Sequence, residues 1–182
     1  MNSDIVQHLE VHLGKIARGW GDAGEIQVVQ FPDQPQKGIV TYSTLGLSST
    51  PLPMNQGRTV RQELLVSVDS SFKPESVASF LVTFAEDVRG QDRALLRGDV
   101  VGPSEPLVPG VRARAVYASI PVFFDEDLAT YRGSSPPTVL VWLIPLPPED
   151  AEFVKTQGWE SFEDRLEAAS VDFWDLNRPP LR

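Results

Sequence analysis

Two histidines, His8 and His12, stand four residues apart in a sequence that contains no cysteine. On a helix this spacing sets both imidazoles on one face, where they could share a divalent cation. A zinc-hydrolase helix needs a glutamate directly after the first histidine, but position 9 is leucine and the acid is Glu10. With no third ligand cluster in view, the pair is expected at or near the surface, without a metal. Gly19-Trp-Gly21-Asp-Ala-Gly24 has the glycine spacing of a dinucleotide loop. That loop works only between a strand and the helix that follows it. Here the hydrophobic period places a helix before and a strand after, so a helix stop and a loop are expected, and no cofactor. Gly46-Leu-Ser48 begins like a nucleophile elbow, but Thr50 stands where the second glycine belongs, so no catalytic serine is expected.

Carboxylates are the more abundant chemistry. Glu63 alternates with apolar residues in Arg61-Gln-Glu-Leu-Leu-Val-Ser-Val68. It could face solvent, or turn inward to pair with a base such as Arg178. With Arg61 and Tyr42 it could also line a pocket for a small polar substrate. From Glu149 to Asp175 there are nine acids against only Lys155 and Arg165, a segment charge of −7. Glu149, Asp150 and Glu152 fall in the first turn of a helix, where acids complement the positive dipole end. Ser161-Phe-Glu-Asp164 resembles a capping pattern for the next one. Capping does not require so many charges, and the remainder suits a cationic partner. The residues expected on that electrostatic face are Glu149, Asp150, Glu152, Glu160, Asp164 and Asp127. Leu47, Ser48 and Arg58, in a long Pro/Gly-containing loop over 45–60, are a second contact choice.

These residues are carried on 182 positions, 41% apolar and 23% charged, with 16 Lys plus Arg against 25 Asp plus Glu for a net charge of −9. Such a composition supports a folded core and excludes a disordered chain. The acidity argues against nucleic acid and anionic membrane as partners. The lack of cysteine excludes disulfides, thiolate metal sites and a cysteine nucleophile. No apolar run reaches membrane-spanning length, and residues 1–10 do not read as a signal peptide, so a cytoplasmic protein is expected.

The periodicity predicts an amphipathic helix over 3–18 on Ile5, Leu9, Leu13 and Ile16, stopped by Gly19. Strands are expected at 25–31, 39–44, 62–68, 115–124 and 138–146. A helix over 74–89 is expected on Val77, Phe80, Leu81, Phe84 and Val88, and two short helices over 149–157 and 160–169. The non-alternating run Val139–Ile144 reads as a central strand covered on both faces. The tail from Phe173 should dock through its aromatics. The class is α+β: a mainly antiparallel mixed sheet of about five or six strands covered by helices. One domain over 1–182 is expected, its core about 25–178 preceded by the N-terminal helix.

Three segments together resemble the suppressor of fused domain family, in particular its short bacterial members. They are Thr41-Tyr-Ser-Thr-Leu-Gly-Leu-Ser48, Arg61-Gln-Glu-Leu64, and a third running from Trp142-Leu-Ile-Pro-Leu146 through Glu149–Phe153, Gly158 and Phe162-Glu163 to Asp172, Asp175 and Arg178. The resemblance implies a mixed α/β fold and a protein-binding role without catalysis or cofactor. It assigns structural positions to Thr41, Gly46, Leu47, Ser48, Glu63, Leu64, Trp142, Pro145, Gly158, Phe162, Asp172, Asp175 and Arg178. Short bacterial members look like immunity proteins that neutralise a cognate toxin domain, and a basic toxin domain is the expected partner. The animal protein is similar in one domain only, and it clamps a partner peptide as an added strand between two domains. No peptide-contact residue carries over to this chain. The leading expectation is a non-enzymatic immunity module with an acidic face; the alternatives are a regulatory adaptor using strand addition and a small-molecule enzyme using Glu63 and Arg61.

Overall fold

In the computed structural model, which describes residues 3–181, one mixed sheet forms the middle layer, with helices on both faces. In chain order the elements are α1 (Ser3–Leu13), β1 (Arg18–Trp20), β2 (Gln27–Pro32), β3 (Ile39–Leu45), β4 (Leu52–Pro53), β5 (Thr59–Asp69) and α2 (Pro74–Gly90). They continue with β6 (Val100–Val101), β7 (Ala115–Ser119), β8 (Thr130–Tyr131), β9 (Thr138–Leu146), α3 (Pro148–Gln157) and α4 (Trp159–Ala168). The main path across the sheet is β1-β2-β3-β5-β9-β7-β6, with β4 beside β5 and β8 beside β9. Every pairing is antiparallel except β5 with β9, where Arg61 faces Thr138 and Leu65 faces Trp142.

The five expected strands are the five long ones. The other four, β1, β4, β6 and β8, have two or three residues each, too short to carry a period of their own. Alternation in the centre sorts side chains between two cores. From β9, Val141 and Leu143 join Leu64, Val66 and Val68 of β5 against Val77, Leu81, Phe84 and Val88 of α2. Leu140, Trp142 and Ile144 point the other way, towards Leu9 and Leu13 of α1, Ala151 and Val154 of α3 and Phe162 of α4. A strand buried on both faces must be apolar throughout, which is why Val139–Ile144 does not alternate.

Two boundaries differ from expectation. The first helix stops at Leu13, not at residue 18. Gly14 takes a left-handed φ of +83° while its N–H still reaches Glu10 O at 3.1 Å. Glu10 then folds back to accept from Ile16 N, and Gly19 lies in β1. The glycine-spaced stretch 19–24 therefore forms the β1–β2 hairpin connection and not a helix stop. The strand expected over 115–124 stops at Ser119. Pro121 cannot donate to the ladder, and the chain turns there, with Phe124 N bonded to Pro121 O.

Candidate functional site

Glu63 sits in β5 with its side chain fully buried. Its carboxylate accepts from Thr44 Oγ1 at 2.5 Å, Gly46 N at 2.9 Å, Ser48 N at 3.0 Å and Ser48 Oγ at 2.6 Å. Burial pushes this carboxyl above the usual range, and the four donors pull it back towards the anion. Two residues away, Arg61 Nη1 donates to the carbonyls of Ser48 and Ser49 at 2.7 and 2.8 Å. One strand thus grips both polarities of the 46–49 turn. Gly46 is required there: its φ is +110°, and a Cβ would meet Glu25 O at 2.9 Å. Thr41, at the other end of β3, bonds Gln34 O and Ser67 Oγ, both at 2.7 Å.

This geometry corrects the expected pocket. Glu63 and Tyr42 are 0% and 1% exposed, so they line no open site, and the Tyr42 hydroxyl, pushed up to about 12 mainly by burial, accepts from Gln30. It also corrects one loop contact: Leu47 is wholly buried, whereas Ser48, held by Glu63, is half-buried and Arg58 is exposed. Arg178 does not reach Glu63 either.

Arg178 pairs instead with Asp150 of α3, Nη1 to Oδ2 at 2.7 Å, with both side chains at 5% exposure or less. Asp150 Oδ1 accepts Leu181 N at 2.9 Å. Asp150 is thus a buried fastener for the tail and not, as expected, a partner-facing acid. Asp172 and Asp175 cap turns in the same tail, accepting Trp174 N and Asn177 N. Between them the tail sets Phe173 and Trp174 against Trp142 at ring distances of 5.7 and 6.0 Å. Buried Pro145 pairs across β7 with Val116, and Phe162 packs on Tyr117.

The remaining acids face outwards on α3 and α4, which Gly158 separates. Glu152, Glu160, Asp164 and Glu167 are exposed and form no ion pair among the described residues, while Glu149 meets Arg112 at 2.8 Å. Glu160, Asp164 and Glu167 recur at helical spacing along α4. Glu163 lies beside them, half-buried, receiving Tyr117 Oη at 2.7 Å and both Nε and Nη2 of Arg97. Partial burial raises its carboxyl, but Arg97 and Tyr117 outweigh that and hold it below the usual range. Asp127 is exposed near a separate element, the turn that takes up the histidines. There His8 Nε2 meets Leu128 O at 3.1 Å and His12 Nδ1 lies 3.8 Å from Asp125.

Two surface depressions have no counterpart in the sequence reading. One, of about 640 Å³, runs between α2 and the 101–109 segment and includes Phe80, Phe84, Val101 and Leu107. The other, of about 260 Å³, lies between α4 and the turn after β7, with Val122, Phe123, Trp142 and Leu166 in its wall. The sequence signal for the second was Pro121, which ends the strand and leaves Val122 and Phe123 exposed.

A sequence model of the suppressor of fused protein family matches residues 22–179. The immunity protein YqcF of Bacillus subtilis strain 168 is 24% identical over 90% of this chain and 86% of its own length. Among solved structures, a suppressor of fused homologue from Neisseria gonorrhoeae superposes with a TM-score of 0.78 at 19% identity, covering 98% of this chain and 95% of the other. A chain of the Sufu–Fu complex gives 0.71 at 12% identity, over 98% and 91%. Drosophila Suppressor of Fused gives 0.73 at 11%, over 98% of this chain but 50% of that protein. No helix among the described residues is long and apolar enough to cross a membrane.

Proposed function

Since the chain belongs to the suppressor of fused family, we propose that it is a non-enzymatic, cytoplasmic protein-interaction module that neutralises a cognate toxin domain by holding it against an acidic face. The observation that carries the reading is the outward row Glu152, Glu160, Asp164 and Glu167 on α3 and α4, charges the fold does not use internally. The Bacillus relative named an immunity protein supports the class of partner. A toxin that attacks nucleic acid needs a basic surface to hold phosphates, and a rigid acidic ridge on this chain would cover that surface. The buried, fully occupied Glu63 fits a scaffold role better than catalysis.

The test is co-expression with the product of the adjacent open reading frame. That product should be toxic alone, copurify with this chain, and be released by Glu160→Lys with Asp164→Lys. Association should slow by at least about tenfold at low salt, because rim charges act mainly on the on-rate. A product that is harmless alone and does not copurify overturns the proposal.

A second reading, a regulatory adaptor that takes a partner strand, is favoured by one observation. The sheet ends at β6, whose Val101 borders the 640 Å³ groove beside α2. Strand addition there would survive the two charge reversals, which separates the readings.

A further inference from the structure

The 260 Å³ cavity beside α4 stands apart from the rest of the surface in three respects. Ile120, Val122 and Phe123 follow one another on the turn after β7, exposed at 45%, 61% and 46%. Exposed large apolar groups are few elsewhere, and contiguous ones mark contact surfaces. Phe123 does not lie loose: its ring sits 5.5 Å from Trp142, edge-on, and 5.2 and 5.3 Å from Phe173 and Trp174. The wall is therefore rigid before anything binds, which lowers the entropy cost of an interface.

The second respect is polar. Trp142 is 1% exposed and lines this cavity, yet its indole Nε1 has no acceptor among the described residues. Buried indole N–H groups ordinarily have a partner, and an orphaned one is costly. The third is charge. Glu163 and Glu167 stand at the rim, continuous with Glu160 and Asp164 along α4, and Arg97, the one cation lining the cavity among the described residues, is already taken by Glu163. Arg97 also lies over the ring of Trp159, a further exposed aromatic, 5.2 Å from its centroid.

Resting on the proposed immunity reading, we infer that this cavity is the anchor pocket of the interface. It receives one large apolar side chain of the toxin domain, flanked on that protein by Lys or Arg that meet the α4 acids. The anchor packs against the Trp142 ring in the cavity wall. The volume is below the range of about 300 Å³ and upward that small-molecule sites occupy, and suits a single side chain. An apolar centre ringed by charge is how interface energy is usually concentrated.

The probe is the catalytically inactive toxin domain encoded beside this gene, titrated calorimetrically against wild type, Ser119→Met, which fills the cavity, and Val122→Gln, which makes its rim polar. Urea midpoints check folding. Pocket variants that keep the wild-type midpoint should bind roughly 30-fold or more weakly. The Trp142 indole N–H resonance should shift in the wild-type complex, because the ring lines the filled cavity. If wild type binds and the variants stay within about threefold of it, the pocket inference falls while the immunity reading stands. If the variants misfold, the resonance decides: an unmoved Trp142 signal in the wild-type complex overturns the inference, and a shifted one supports it. If wild type does not bind at all, both fall.

Discussion

Asp150 and Glu152 stand two positions apart on one helix, yet their removal should have opposite consequences. Asp150→Asn keeps the shape of the side chain but leaves Arg178 as a buried, uncompensated cation. The structure shows what remains for that guanidinium. Nη1 has Pro179 O at 3.2 Å, while Nε and Nη2 already lack acceptors among the described residues. Breaking one side of a buried ion pair costs about 3–5 kcal/mol. At 182 residues, 1 kcal/mol corresponds to about 2–4 °C in Tm, so a fall of roughly 6–20 °C is expected. Replacing both partners, as Asp150→Leu with Arg178→Met, should recover most of the loss, since the desolvation cost disappears with the charges. Glu152→Gln should stay within about 0.5 kcal/mol of wild type. Urea unfolding followed by tryptophan fluorescence measures all four proteins. An Asp150→Asn variant within about 1 kcal/mol of wild type, or a double variant no better than the worse single one, would refute the reasoning.

Glu63→Ala leaves two hydroxyls and two backbone N–H groups around the 46–49 turn without their acceptor, and should cost at least about 3 kcal/mol in the same urea assay. Retention of full stability would show that water replaces the carboxylate at no cost. A pH effect follows from His8, whose pKa is held below 6.5 by burial first, against the opposing bond to Leu128 O. The unfolded chain therefore takes up this proton at higher pH than the folded one. The stabilising contribution is present above pH 6.5 and declines as pH falls below it. His12, Asp125 and Asp127 act on the same turn. Comparison of urea midpoints at pH 7.5 and 5.5 should show a smaller drop for His8→Asn than for wild type, and an equal drop would exclude this source.

What was legible in the sequence had its own local signal. The long strands are β-branched runs, and α2 carries Val77, Leu81, Phe84 and Val88, all buried, at helical spacing. β1, β4, β6 and β8 were not legible, because a two- or three-residue strand exists only through the neighbour that bonds it. Leu47 illustrates the limit for sites. Its loop is rich in proline and glycine, which suggests exposure, but Glu63 and Arg61 on the strand that follows pin the turn and draw Leu47 into the core. Nothing within residues 45–60 records that partnership.

The same limit reshapes the −7 segment. Its nine acids look alike as a charge count, but their partners divide them. Asp150 fastens the tail, Glu163 answers Arg97 and Tyr117, and Asp172 and Asp175 cap tail turns. Only the other five, Glu149, Glu152, Glu160, Asp164 and Glu167, are outward helical positions, and Glu149 spends its charge on Arg112. The bonded acids hold Phe173 and Trp174 against Trp142, and Phe173 and Trp142 line the apolar cavity that has Glu167 at its edge. The segment thus divides its electrostatic work: hydrogen-bonded carboxylates build a rigid apolar seat, and unpaired ones on α4 continue outward from its edge. Variants of the first set should act through stability and those of the second through association rate, a division that charge counting alone cannot make.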